Sequence, residues 1–157
     1  MTESKSALYR DAILEHSRHP QNQGRLPTPD ARAAASNPLC GDELELMLAL
    51  ADGHIRDMRY LARGCSIVLA SASLMTSSLL APALMDATAA GLLPARARVL
   101  AGAFRAMMDG GREDLPDELA SLNSLAIVRQ RPSRIRCALL PWEALETCLA
   151  QGPGEDA

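Results

Sequence analysis

Residues 43–50 alternate: Leu44, Leu46, Leu48 and Leu50 fall on one side of an extended chain, Glu43, Glu45 and Met47 on the other. This is the period-two pattern of a half-buried strand. The turn signal Ala51-Asp52-Gly53 follows, and Ile55, Asp57 and Arg59 then alternate with Arg56, Met58 and Tyr60, so 43–61 is expected to form an antiparallel hairpin. An edge strand is expected over 31–36, in a region punctuated by Pro27, Pro29 and Pro38. On either side the period turns helical. Residues 8–16 carry Leu8, Ala12 and Ile13 at helical spacing, and Pro20, Asn22 and Gly24 mark the end of that helix. After Gly64, residues 67–80 are rich in helix formers, with Ser71, Ser73 and Ser77 on a less apolar side. Further helices are expected over 84–90, 95–108 and 117–125, divided by Gly110-Gly111 and Leu115-Pro116. A last one runs from near Leu140 to Leu149, with Pro141 in its first turn where a missing N–H is harmless. The pattern predicts an α+β fold: a small antiparallel sheet of about three strands packed against several helices.

Composition narrows this to a single domain spanning 1–157, with its core over about 8–149 and a disordered tail at 152–157, since 157 residues at 48% hydrophobic content build one ordinary core. A net charge of −3 and few aromatics (Tyr9, Tyr60, Phe104, Trp142) leave no basic stripe, which argues against nucleic acid as a partner. The polar start Met1-Thr2-Glu3-Ser4-Lys5-Ser6 has no apolar signal core, so a cytoplasmic protein is expected. In that reducing setting the four cysteines are thiols or ligands rather than a disulfide framework. Residues 66–85 carry no charge and have the length of a membrane span, but six hydroxyl residues and Pro82 within them point to a buried or interface helix and no membrane role.

Three cysteines stand in distinct local settings: Cys40 in Asn37-Pro38-Leu39-Cys40-Gly41-Asp42, Cys65 in Arg63-Gly64-Cys65-Ser66, and Cys137 in Arg134-Ile135-Arg136-Cys137. With Asp42 they make a full tetrahedral donor set for zinc, and the expected hairpin brings Cys40, Asp42 and Cys65 to one end of the sheet. The competing reading is that each is a small core residue, as free cysteine usually is. Turn and glycine contexts favour ligands, whereas Cys148, inside the helical run Trp142-Glu143-Ala144-Leu145-Glu146-Thr147-Cys148-Leu149, is packing and about 16 Å along a helix from Cys137. Cys65 would sit near a helix N-terminus, where the dipole favours a thiolate. Three thiolates and a carboxylate around Zn2+ carry a formal charge of −2; Arg134 and Arg136, on an expected strand and pointing the same way opposite Ile135, are the candidate compensating charges. His16, His19 and His54 read as surface or loop packing.

The segments around these cysteines, together with Ser66-Ile67, Ala70-Ser71-Ala72-Ser73-Leu74-Met75, Arg131-Pro132-Ser133, Trp142-Glu143-Ala144-Leu145 and the first-helix residues Leu8-Tyr9, Ile13-Leu14-Glu15-His16, Pro20 and Asn22, resemble the SufU/IscU family, or NifU-like N-terminal domains, over roughly residues 8–149. The chain is similar to the SufU branch: Arg136 stands where IscU-type proteins have histidine, and the interval between Cys65 and Cys137 holds an extra helical insertion. The resemblance implies zinc bound by Cys40, Asp42, Cys65 and Cys137. It also implies persulfide sulfur accepted from a SufS-type, PLP-dependent cysteine desulfurase and passed to downstream iron–sulfur assembly proteins. A thiol that attacks a persulfide has to leave the metal, and Cys40, on a turn beside glycine, is the expected sulfur acceptor. Two alternatives stay open: a scaffold that builds and transfers a [2Fe-2S] cluster, with iron or the cluster as cofactor, and a non-catalytic adaptor whose zinc holds the fold.

Overall fold

In the computed structural model, which describes residues 2–85 and 90–151, the chain runs through helix α1 (Glu3–Arg18), strands β1 (Ala31–Asn37), β2 (Asp42–Ala51) and β3 (His54–Arg63), and helices α2 (Ser66–Met85) and α3 (Pro94–Met108). A run of 3-10 turns (Asp117–Gln130), kinked at Leu119, and helix α4 (Pro132–Gln151) complete it. The three strands form one antiparallel sheet in the order β1-β2-β3, and the class is α+β as expected. The helix expected over 84–90 and the tail at 152–157 fall largely outside the described residues. Among the described residues no helix is long and apolar enough to cross a membrane.

One face of the sheet is a graded surface. The register sets Ala31 opposite Leu48, Ala33 opposite Leu46, Ala35 opposite Leu44 and, at the end, Asn37 opposite Asp42. Side chains two apart share a face, so this row of large β2 and small β1 residues ends in a polar pair on the buried side. Leucines 44, 46 and 48 are buried, and the small β1 side chains leave room for α4, which packs against β1 and β2 while α2 covers β3.

The hairpin forms as expected through Asp52-Gly53, whose φ angles of 53° and 77° belong to the two-residue turns whose twist matches paired strands. The face assignment along β3 does not hold throughout. Ala49 pairs with Asp57 but Leu50 with Ile55, so Arg56 is an extra residue in a bulge. That shift turns Ile55 onto the same side as Met58 and Tyr60, all three buried, whereas simple alternation had placed it with Asp57 and Arg59.

Helix α4 departs most from expectation. It begins at Pro132 instead of near Leu140, so Cys137 and its flanking arginines lie on a helix and not on a strand. Pro132 takes the first-turn role assigned to Pro141, and Pro141 lies inside the helix, where it withholds a hydrogen bond from the Cys137 carbonyl. The Ser71 hydroxyl donates to the next carbonyl, Ala138 O, at 2.6 Å, tying α2 to this stretch. The serine side of α2 is likewise a buried seam: Ser73 Oγ accepts from the Gln21 N–H at 2.9 Å and lies 2.8 Å from His16 Nδ1, and Thr76 Oγ1 accepts from Asn22 Nδ2 at 3.1 Å. Phe104 of α3 stacks on Trp142 of α4 at 4.7 Å between ring centroids.

Candidate metal centre

Four chain segments meet at the end of the sheet where Asn37 faces Asp42. The turn between β1 and β2 is closed by the Cys40 N–H donating to Asn37 O at 3.1 Å, and it leaves Cys40 exposed. Asp42 is 1% exposed: the parity that buries Leu44, Leu46 and Leu48 also turns its carboxylate inward. Beside it the chain leaves β3 through Gly64, where an added Cβ would overlap Asp42 Oδ1 and stand 2.9 Å from its Cγ, so only glycine lets the two strand ends close. The next residue uses that proximity. Cys65 donates its N–H to Asp42 Oδ1 at 3.0 Å, and its Sγ lies 3.8 Å from Asp42 Oδ2. Its carbonyl accepts from Leu69 N–H at 3.3 Å, which places Cys65 at the start of α2, a helix with no acidic residue in its first turn.

From the other side, α4 delivers Cys137, fully buried. The Cys40 sulfur, an Asp42 carboxylate oxygen and the Cys137 sulfur lie within 4.8 Å of one another. Ligand atoms around tetrahedral zinc with Zn–S bonds of about 2.3 Å are separated by about 3.8 Å. The Cys65–Asp42 spacing already matches that edge, and Cys40, Asp42 and Cys137 need to close by at most about 1 Å; the Cys65 sulfur lies outside that set of three and joins the centre through Asp42. A soft trithiolate-plus-carboxylate set suits zinc and suits an iron–sulfur cluster equally.

Burial pushes the Cys137 thiol pKa up, and its hydrogen bond with Asp42 and the charge of nearby Cys65 add to the rise. A cation among these donors reverses that balance. Arg134, one helical turn before Cys137, has its pKa raised first by the charge of Cys65, then by a hydrogen bond to that sulfur and by Cys137. Its guanidinium is therefore at the sulfurs. Arg136 is exposed, because two residues along a helix turn about 200° away from each other where two along a strand would share a face. The pairing of Arg134 with Arg136 on one side is thus corrected by α4.

Asn37 was legible only as part of a motif, with no role of its own. It is 2% exposed, its Nδ2 reaches toward Cys137 Sγ at 3.9 Å, and its Oδ1 is buried with no hydrogen-bond partner. The available signal was its parity with Ala31, Ala33 and Ala35 at the end of an inward-facing row. The remaining cysteine lies elsewhere: Cys148 Sγ is 3.7 Å from Leu46 O, and burial alone raises its pKa to about 12. Among the histidines, His16 meets Ser73 on α2 and His54 lies 2.9 Å from Asp52 O in the hairpin turn.

The profile of the NifU-like N terminal domain family matches residues 8–95, more than half of the chain. The chain is 33% identical over 147 residues to the zinc-dependent sulfurtransferase SufU of Bacillus subtilis (strain 168), covering 94% of this chain and 92% of that one. It is 31% identical over 142 residues to the iron–sulfur cluster assembly scaffold protein IscU of Streptococcus pyogenes serotype M1, covering 90% and 82%. The crystal structure of a nitrogen-fixing NifU-like protein (N-terminal) from Brucella abortus superposes with a TM-score of 0.79 at 24% identity, over 91% of this chain and 92% of that one, which shows a shared fold.

Proposed function

Since the chain belongs to the NifU-like N-terminal domain family, we propose that it serves iron–sulfur cluster assembly as a zinc-dependent sulfurtransferase, taking persulfide sulfur from a SufS-type, PLP-dependent cysteine desulfurase. Cys40, Asp42, Cys65 and Cys137 are the residues that would hold the metal, and Cys40 is the thiol that receives sulfur. The observation that carries this reading is the contrast in exposure within one donor cluster. Cys40 is exposed on a turn while Cys137, within 4.8 Å of it, is buried. Bound among these donors, zinc would keep the thiols deprotonated at neutral pH.

The chain's own residues divide the remaining work. Cys137 and Asp42 are buried and stay within the fold. Asp42 is pinned by the Cys65 N–H, and Arg134 offsets negative charge at the two inner sulfurs. Cys40, on its exposed turn, can meet a partner's sulfur. Its thiolate attacks the outer sulfur of the desulfurase persulfide; a new S–S bond forms on Cys40, the old one breaks, and the electron pair leaves on the desulfurase cysteine as thiolate. One disulfide-type bond replaces another, so no oxidant or reductant is consumed.

The test supplies the purified protein, with its zinc, to the cognate desulfurase and cysteine, and follows alanine release. Release rises with the wild-type protein and falls to the desulfurase-only rate with Cys40→Ala. No rise with the zinc form turns the assignment to the second reading, a [2Fe-2S] scaffold, which the likeness to IscU favours. Visible absorbance separates the two, because a zinc protein is colourless and a cluster-bearing one is not.

A further inference from the structure

Beside Cys65, a cavity of about 360 Å3 opens between α1, the start of α2, the end of the 3-10 segment and the start of α4. Arg10, Arg131 and Arg134 line it, and none of its lining residues is acidic. Arg134 is engaged by the Cys65 and Cys137 sulfurs. Arg10 and Arg131 are both exposed, and among the described residues neither has an ion-pair partner. In a chain of net charge −3 this concentration of unpaired cations is local and not a consequence of composition. Two guanidinium groups facing one concavity repel each other until an anion enters, and their planar forks match a carboxylate with paired hydrogen bonds. The start of α2 adds its positive dipole end, uncompensated by any acidic residue in the first turn. Its Cys65 N–H is already given to Asp42, which leaves one backbone donor fewer for an anion there. The rest of the wall includes Ile67, Ile127 and Val128, which suit carbon and not a bare inorganic ion.

We infer that this cavity binds a carboxylate carried on a short carbon chain, supplied either by a free dicarboxylate or by an acidic side chain of a protein seated over Cys65. The assignment stands on the cavity and its charges, independent of whether Cys40 receives sulfur.

Calorimetric titration of the protein as purified, at low salt, with glutarate as probe tests it. Wild-type protein binds glutarate; the R10A/R131A variant binds at least tenfold more weakly; R18A, which removes an exposed arginine outside the cavity, binds as wild type does. Because both cavity arginines are exposed, thermal unfolding of the double variant should match wild type. No binding by the wild-type protein, equal binding by R10A/R131A, or inorganic phosphate bound as tightly as glutarate overturns the assignment. A second arm measures desulfurase binding. If R10A/R131A weakens it and glutarate competes with it, the carboxylate comes from the partner; if desulfurase binding is unchanged while glutarate binding is lost, the ligand is a free small molecule. Failure of the sulfur-transfer reading would appear only in alanine release and would leave the glutarate titration to decide this one.

Discussion

Cys137 and Cys148 lie on the same helix, both fully buried and both with thiol pKa values raised, yet their surroundings share nothing. Among the described residues the hydrogen-bond partner in reach of the Cys148 sulfur is the Leu46 carbonyl, and burial alone accounts for its shift. Around Cys137 stand Asp42, Cys65, Asn37 and Arg134, and part of its shift comes from Asp42 and Cys65. Burial is therefore a poor guide to function for a thiol. The guide is whether other donors and a compensating charge converge on it, which depends on the end of the helix and of the sheet where it falls.

The sharpest way to break this contrast is to remove each sulfur in turn. Cys137→Ala should weaken zinc retention, measured by competition with a chromogenic chelator, by more than about 100-fold, beyond the effect usual for residues that only support a ligand. Cys148→Ala should keep its zinc and lose only about 1 kcal/mol of stability in urea unfolding. Equal zinc retention in the two variants would erase the distinction. Next in size is Gly64→Ala. A methyl there has to displace the Asp42 carboxylate or the strand end, so the variant should lose about 1–3 kcal/mol of stability together with much of its zinc. If it binds zinc normally, the Asp42–Gly64 contact is not what shapes the centre.

A smaller effect sharpens the comparison at Asn37. Asn37→Ala removes the amide directed at Cys137 and with it the orphaned oxygen, and should lower zinc affinity by about 10-fold with little change in unfolding. Loss of stability without loss of metal would make Asn37 a packing residue. The smallest effect is expected away from the centre, at His16, whose pKa burial lowers from 6.5, with Glu15 partly opposing. A folded-state pKa below the unfolded value means that the unfolded chain binds the proton more readily. His16 therefore leaves stability intact above about pH 6.5 and erodes it as pH falls through the folded value. Zinc-free protein should show a shallower fall of urea midpoint with acid in His16→Gln than in wild type. A steeper one would contradict the sign.

Legibility followed the range of the interactions involved. Strand β2 was read nearly to its ends, because alternation of Leu44, Leu46 and Leu48 is a local pattern, and the Asp52-Gly53 turn is a local signal as well. The bulge at Arg56 was not read, since an extra residue leaves no mark on composition and appears only when β3 is laid against β2. The start of helix α4 is hidden in the sequence because Pro141 reads as a helix start, whereas in the fold the helix continues through it, packed against the sheet and tied by the Ser71 bond to Ala138 O. The geometry of the arginines depends on that start, for Arg134 and Arg136 share a side on a strand and part company on a helix.

By itself the chain determined which residues have chemistry to offer and which face of β2 they occupy, because residue type, turn glycines and period-two parity are written locally. Tertiary structure alone decided that Asp42, Cys40 and Cys137 come within 4.8 Å, that Asn37 is sealed among them and that Arg134 rather than Arg136 reaches the sulfurs. Those outcomes depend on how α4 crosses the sheet, on contacts about a hundred residues apart along the chain that no local pattern encodes.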